Sequence, residues 1–266
     1  MSDRVRTLLL AVAAAQLLLA GVFWFRLPIM DLIWPWPATS PLSATFLASI
    51  AAAAAASTGW AVWFRRERAL AGIALDYIVI FVPFTLFSAV RAAQGAGTGV
   101  ALLGGACALG VVVGVWLLRY SLQFPWRNGD RMPTLLRASF AIFIVALVIV
   151  GSLLIAGTPN VLPWTVTPDL SVLFGSLFLG AAAYFAFAVA FPVVDNGLGQ
   201  LAGFLAYDLV LFGPFLLRLP TIDDALRLSL NVYLVVLAYS TLLALYYLFI
   251  NPRTRVIGRP VAATAG

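Results

Sequence analysis

Eight long apolar stretches limit this chain to one kind of fold. They cover roughly residues 7–25, 42–64, 69–90, 99–118, 135–156, 170–193, 198–217 and 229–250. A helix needs about 20 apolar residues to cross the hydrocarbon core of a bilayer, and each stretch has about that length. Only helices and closed barrels satisfy their backbone hydrogen bonds in lipid, and long stretches without alternation predict helices. The sequence therefore predicts an all-α integral membrane protein with eight transmembrane helices.

The charged residues indicate orientation rather than binding of nucleic acid. Only 10% of the residues are charged, whereas a soluble domain has about 25%. All 16 basic residues are arginines, and they lie near the ends of the apolar stretches instead of in one patch. If the N-terminus is cytoplasmic, twelve arginines face the cytoplasm and four face the outside. We therefore expect a multi-pass protein of a prokaryotic inner membrane, with both termini cytoplasmic. Its expected partners are the lipid bilayer and other membrane subunits.

The two halves of the chain resemble each other. Residues 3–11 return at 130–138 with six of nine identical, and residues 35–46 return at 163–174 with six of twelve identical. Shorter matches follow in the same order: Leu70-Ala71-Gly72 returns as Leu201-Ala202-Gly203, and Phe81 and Pro83-Phe84 return as Phe212 and Pro214-Phe215. Such self-similarity predicts a duplicated unit.

This duplication divides the chain into two tandem four-helix repeats. Because four crossings return the chain to its starting side, the repeats are expected to be parallel, related by a pseudo-two-fold axis along the membrane normal. The predicted organisation is a first repeat at 1–122, a cytoplasmic join at 123–130, a second repeat at 131–252 and a flexible tail at 253–266. The second crossing of each repeat is rich in alanine and glycine, which allows close helix packing. We expect these two helices near the centre of the bundle.

Equivalent outer loops link the first two crossings of each repeat. The first contains Trp34-Pro35-Trp36 followed by Thr39, Pro41 and Leu42, and the second contains Trp164 and Thr167. Trp36, Thr39, Trp164 and Thr167 are candidates either for an interfacial anchor or for two lids over a central cavity, since tryptophan prefers the interfacial layer. The first loop resembles a segment of uncharacterised polytopic bacterial membrane proteins. That resemblance implies a membrane protein and no particular activity.

Two acidic residues lie inside apolar stretches. Asp76 is in the third crossing and Asp208 in the seventh, and the repeat alignment places Asp76-Tyr77 on Tyr207-Asp208. An ionisable group in the membrane is costly and marks either a function or a specific partner. Three interpretations remain open: a hydrogen bond to a neighbouring helix, a proton or cation site in a transporter, and an aspartyl dyad for intramembrane peptide hydrolysis.

Other chemistry finds little support in the sequence. With no histidine and one cysteine, the usual zinc, copper and histidine-ligated haem sites cannot form. We identify no catalytic residue, no metal ligand set and no cofactor-binding motif, so we do not expect an enzyme. The leading prediction is a structural or accessory membrane subunit. The alternative is a small proton- or cation-coupled secondary transporter using Asp76 and Asp208, and an intramembrane aspartyl hydrolase is a remote third possibility.

Overall fold

The computed structural model describes residues 1–37 and 40–256. Its helices are α1 (Asp3–Phe25), α2 (Met30–Ile33), α3 (Pro41–Trp63), α4 (Leu70–Ala93), α5 (Thr98–Ser121), α6 (Thr134–Ile155), α7 (Pro168–Ala190), α8 (Val194–Arg218) and α9 (Asp224–Leu245). A 3₁₀ turn leads into α4 and a π-helical turn extends α9. Within the described residues, all of these helices except the short α2 are long and apolar enough to cross a membrane. The prediction of an all-helical chain with eight membrane-length helices is confirmed.

The helices α3 and α7 begin in the same way. Ser40 accepts a hydrogen bond from the Leu42 amide at 3.2 Å, and Thr167 accepts one from the Leu170 amide at 3.2 Å. Each cap is followed by a proline at the first helical position, where its missing N–H group costs nothing. Each cap therefore pairs one of the amide groups that the first turn of a helix leaves open.

The helix α8 begins earlier than its apolar stretch predicts. The stretch starts near residue 198, but the helix starts at Val194 and includes Asp195 and Asn196 in its first turn. The Asn196 side chain donates to the backbone carbonyls of Phe187 and Phe191, both at 3.1 Å. These bonds tie the end of α7 to the start of α8 and allow polar residues to continue the helix.

Four helices form the centre of the bundle and four surround them. The sequential pairs α1–α3, α4–α5, α6–α7 and α8–α9 pack together, and α3 also packs on α8 while α4 packs on α7. In the most apolar part of α3, 72% of the residues are buried, and in α7 the share is 67%, against 22% in α1. The central position predicted from the alanine and glycine content of α3 and α7 is thus confirmed.

Glycine allows the α6–α7 pair to approach closely. A Cβ atom on Gly151 would lie 2.9 Å from the carbonyl oxygen of Gly175, and one on Gly175 would lie 2.7 Å from that of Gly151. Both distances are too short for a carbon atom. Two helix backbones are therefore in direct contact here, which is how membrane helices gain packing energy where lipid offers no hydrophobic drive.

The surrounding helices expose large apolar side chains. Leu18 of α1, Leu102 of α5, Ile142 of α6 and Leu228 of α9 are each between 68% and 75% exposed. An apolar surface of this extent would associate in water, and it matches the hydrocarbon of a bilayer. The chain has the architecture of a multi-pass membrane protein.

Candidate functional site

Asp76 lies on α4 against the backbone of α7. A Cβ atom on Gly180 of α7 would be only 2.6 Å from the Asp76 Oδ1 atom, so the glycine leaves the space that the carboxyl group occupies. This oxygen is buried and makes no hydrogen bond within the described part of the chain. Burial of an acceptor without a donor costs about 1–3 kcal/mol, and more for a charged group. An ionised carboxylate at this position is therefore costly.

Two tyrosines beside Asp76 extend the site to other helices. Gln16 of α1 donates to the hydroxyl of Tyr77, and Thr58 of α3 lies beside the same hydroxyl. Tyr184 of α7 is close enough to Asp76 for an electrostatic interaction. In the sequence these residues are polar side chains inside apolar stretches. An emphasis on acidic residues did not identify Gln16, Thr58 or Tyr184.

Residues of α3 and α8 complete the site around Tyr184. Ser57 lies beside the Tyr184 hydroxyl and donates to the carbonyl oxygen of Gly199 at 3.1 Å. The Gln200 side chain donates to the carbonyl oxygen of Tyr184 at 2.8 Å. We call the following group the central polar cluster: Gln16, Ser57, Thr58, Asp76, Tyr77, Tyr184 and Gln200. It is supplied by α1, α3, α4, α7 and α8 and lies where the two halves of the chain meet.

Several oxygens of the central polar cluster lack a donor. Gln16 Oε1, Asp76 Oδ1 and Gln200 Oε1 are buried, and none accepts a hydrogen bond from the described residues. All three are acceptors, and the cluster contains one acid and no basic side chain. The chemistry of the cluster therefore suits positive charge rather than negative charge.

Asp208 has a different environment from Asp76. It is 1% exposed, and its Oδ2 atom accepts hydrogen bonds from Ser240 at 2.7 Å and Thr241 at 3.1 Å, both on α9. The position aligned with Asp76 is Tyr207, whose hydroxyl pairs with that of Tyr233. A shift of one residue turns a side chain by about 100° around the helix axis. The structure therefore directs Asp76 towards α7 and Asp208 towards α9, and does not bring the two acids together.

The tryptophans of the outer loops are buried. Trp164 is 2% exposed, donates from its indole nitrogen to Ser43 Oγ at 3.0 Å and packs on Phe46. Trp36 is 4% exposed and packs on Trp34. Thr167 caps α7, as described above. Thr39, the fourth residue predicted for this surface, lies outside the described residues.

An ion pair joins the two halves at each end of the bundle. Where α4 ends, Arg91 contacts Asp169 of α7 at 2.9 Å. At the opposite end, Arg66 contacts the buried Asp195 at 3.2 Å, and Asp195 also accepts from the Asn128 amide at 2.6 Å. No local pattern in the sequence indicates that Asp195 pairs with Arg66.

Metal-ligand side chains do not cluster in the described part of the chain, but two surface hollows are present. In residues 1–37 and 40–256 no three histidine, cysteine, aspartate or glutamate side chains group as a metal site would require. These hollows lie on the outer faces of α5 and α6.

Comparison with known proteins gives no relative. No family model matches the chain, and neither a curated protein nor a solved structure is detectably similar to it.

Proposed function

We propose that the eight helices are two parallel four-helix repeats related by a pseudo-two-fold axis along the membrane normal. Exchanging the halves maps α3 onto α7 and α4 onto α8, so it converts the α3–α8 contact into the α4–α7 contact. The glycines aligned by the repeat support the same relation. A Cβ atom on Gly72 would meet the ring of Tyr184 on α7 at 2.8 Å, and one on Gly203 would meet the carbonyl oxygen of Ala53 on α3 at 3.2 Å.

The protein is then a small secondary transporter that moves a proton or a monovalent cation past Asp76. The observation that carries this proposal is the buried, unpaired Asp76 oxygen in a cluster formed by helices of both halves. An ionisable residue inside the membrane is by default a candidate functional site, and transporter sites lie at repeat interfaces near the bilayer midplane. The ion pairs Arg66–Asp195 and Arg91–Asp169 close the two ends of the bundle. Transport would require each to open in turn.

The composition of the central polar cluster favours a single positive charge. The groups of this cluster that could coordinate a cation are one carboxyl group, two amide oxygens and several hydroxyls. Calcium sites use six to eight oxygens with several carboxylates, which this cluster does not provide. A proton or a monovalent cation at Asp76 matches the available charge.

A structural or accessory subunit is the second candidate. Asp208 favours it, because its Oδ2 atom accepts from Ser240 and Thr241 and so acts as an interhelical hydrogen-bond acceptor. In that case other membrane subunits would cover part of the apolar surface of the outer helices. An aspartyl hydrolase has less support, since it needs two carboxyl groups on one peptide bond and Asp76 and Asp208 face different helices.

Flux through reconstituted vesicles separates these functions. We expect the purified protein to dissipate an imposed proton or sodium gradient, and Asp76→Asn to reduce that flux at least tenfold by removing the charge while keeping the shape. Asp208→Asn is the matched control, because asparagine can still accept from Ser240 and Thr241. Full activity of an Asp76→Asn, Asp208→Asn double variant would exclude Asp76 as the transport site. Absence of flux in the unmodified protein would favour the accessory subunit.

A further inference from the structure

A hollow runs along the outer face of α5. The residues that line it repeat every three or four positions and so share one side of the helix: Val112, Val115, Trp116, Arg119, Tyr120 and Gln123. Among the described elements, α5 packs chiefly on α4, and this outer side remains uncovered. The hollow therefore faces lipid.

The chemistry of this hollow changes along its length. Val112 and Val115 make one end apolar, and the rings of Trp116 and Tyr120 stack in the middle with centroids 5.4 Å apart and planes at 12°. Arg119 and Gln123 form the other end, where α5 leaves the apolar layer. With a rise of about 1.5 Å per residue, Val112 and Arg119 are roughly 10 Å apart along the axis. One ligand with an apolar tail and a polar head would cover both ends.

Arg119 is an unpaired cation in this hollow. It is exposed, and no carboxylate of residues 1–37 or 40–256 forms an ion pair with it. Arg66, Arg91 and Arg227, by contrast, each contact an aspartate. A guanidinium group at the edge of a bilayer attracts lipid phosphate, because it can donate two parallel hydrogen bonds to that group.

We propose that this hollow binds one anionic phospholipid. Its phosphate contacts Arg119 and Gln123, and one acyl chain lies along Trp116 and Val112. A zwitterionic lipid fits less well, since its ammonium group would bring a second positive charge towards Arg119. The hollow on α6 makes a useful contrast, because its lining of Ala141, Ile142, Val145, Ala146 and Ile149 is entirely apolar.

The second half of the chain does not repeat this site. When Tyr120 is aligned with Tyr247, Arg119 corresponds to Tyr246 and Trp116 corresponds to Leu243. The equivalent surface of α9 therefore lacks both the cation and the indole ring. We expect one such lipid per protein rather than two.

Native mass spectrometry of the full chain in detergent tests this proposal. Phosphatidylglycerol and phosphatidylcholine with identical acyl chains are titrated separately, and the dissociation constant of the first bound lipid is measured. We expect the unmodified protein to prefer phosphatidylglycerol, and Arg119→Gln to weaken its binding about fivefold while hardly changing phosphatidylcholine binding. Val115→Trp, which fills the hollow without changing the charge, should weaken both lipids.

A charge-matched control distinguishes a site from general surface charge. Arg65 is exposed in a short turn and does not line the hollow on α5, so Arg65→Gln should leave the preference for phosphatidylglycerol intact. Equal losses in Arg65→Gln and Arg119→Gln, or an unchanged dissociation constant in Arg119→Gln, would overturn the proposal. So would displacement of the lipid by millimolar inorganic phosphate, because half of the proposed contact is with the acyl chain. Thermal unfolding of each variant verifies that it is folded.

Discussion

A displacement of one residue separates two aspartates that the duplication brings to almost the same place. Asp76 points from α4 to the glycine-lined surface of α7, whereas Asp208 points from α8 to two hydroxyl groups on α9. The turn of about 100° per residue in a helix explains how neighbouring positions reach different partners. The same residue type thus packs against a glycine in one half and accepts from two hydroxyl groups in the other, while Oδ1 of each carboxyl group has no donor among the described residues.

Asp208 should contribute to stability because its carboxyl group accepts hydrogen bonds, and not because it is charged. We expect Asp208→Asn to change the free energy of unfolding by less than about 1 kcal/mol, since its amide oxygen can replace Oδ2. Asp208→Leu removes the acceptor from Ser240 and Thr241 and should cost on the order of 1–2 kcal/mol. Reversible unfolding in mixed micelles measures both values. A larger loss in the asparagine variant than in the leucine variant would contradict this role.

The sequence predicted that both aspartates matter but not which helix each one faces. Hydropathy locates an acid along a helix, whereas its direction depends on how neighbouring helices are rotated. The same limit applies to Trp164, whose amphipathic ring suggested the membrane surface, although Ser43 and Phe46 enclose it. Gln16 and Gln200 were visible as polar residues in apolar stretches, yet only their hydrogen bonds to Tyr77 and Tyr184 link them to the site.

At the scale of elements, the bundle is held by contacts between halves at both ends. The pair at the start of α8 is the better shielded one, with 21% of the Arg66 side chain and 2% of the Asp195 side chain exposed. The pair at the opposite end is more open, with 39% of Arg91 and 29% of Asp169 exposed. The positions of the helices could be predicted from the lengths of the apolar stretches. The two ion pairs could not, because they depend on tertiary contacts between distant parts of the chain.

This difference in shielding predicts an order of stability effects. Asp195→Ala should be the most destabilising change, on the order of 3 kcal/mol, because it leaves Arg66 and the Asn128 amide without their acceptor. Arg66→Gln should cost less, since the Asn128 bond remains. Asp169→Ala should cost under about 1 kcal/mol, as expected for an exposed pair.

Thermal unfolding of the detergent-solubilised variants checks this order. An Arg66→Gln, Asp195→Ala double variant should lose less stability than the two single changes together, because the residues act as one pair. Additive losses, or a larger effect of Asp169→Ala than of Asp195→Ala, would show that the shielded pair does not hold the two halves.

At the scale of the whole molecule, eight crossings and the uneven distribution of arginine determine the proposed topology. An even number of crossings would place both termini on one side, and from the bias of arginine we expect that side to be the cytoplasm. The number of helices could be predicted because bilayer thickness fixes helix length. The proposed two-fold arrangement has weaker support than the number of helices. It depends on the partial self-similarity of the sequence and on the fact that exchanging the halves converts the α3–α8 contact into the α4–α7 contact.

Single-cysteine labelling tests this topology. Cys107 is buried, so a Cys107→Ala background leaves no native thiol and should fold normally. In intact cells, a membrane-impermeant maleimide should label Asn160→Cys in the loop before α7. It should label Gly129→Cys in the join between the halves only after permeabilisation. The reverse pattern would place both termini outside and contradict the arginine-based orientation.

The crosswise packing of the central helices also has a consequence for biogenesis. Among the crossings of the first half, α3 is the most buried, yet one of its main partners, α8, is made well over a hundred residues later. At roughly 5–20 residues per second, that interval lasts on the order of ten seconds. During this time the nascent chain holds α3 in the bilayer with its small, polar-lined face towards lipid or an insertion factor. A ribosome that stalls after the first half would leave that face without its partner.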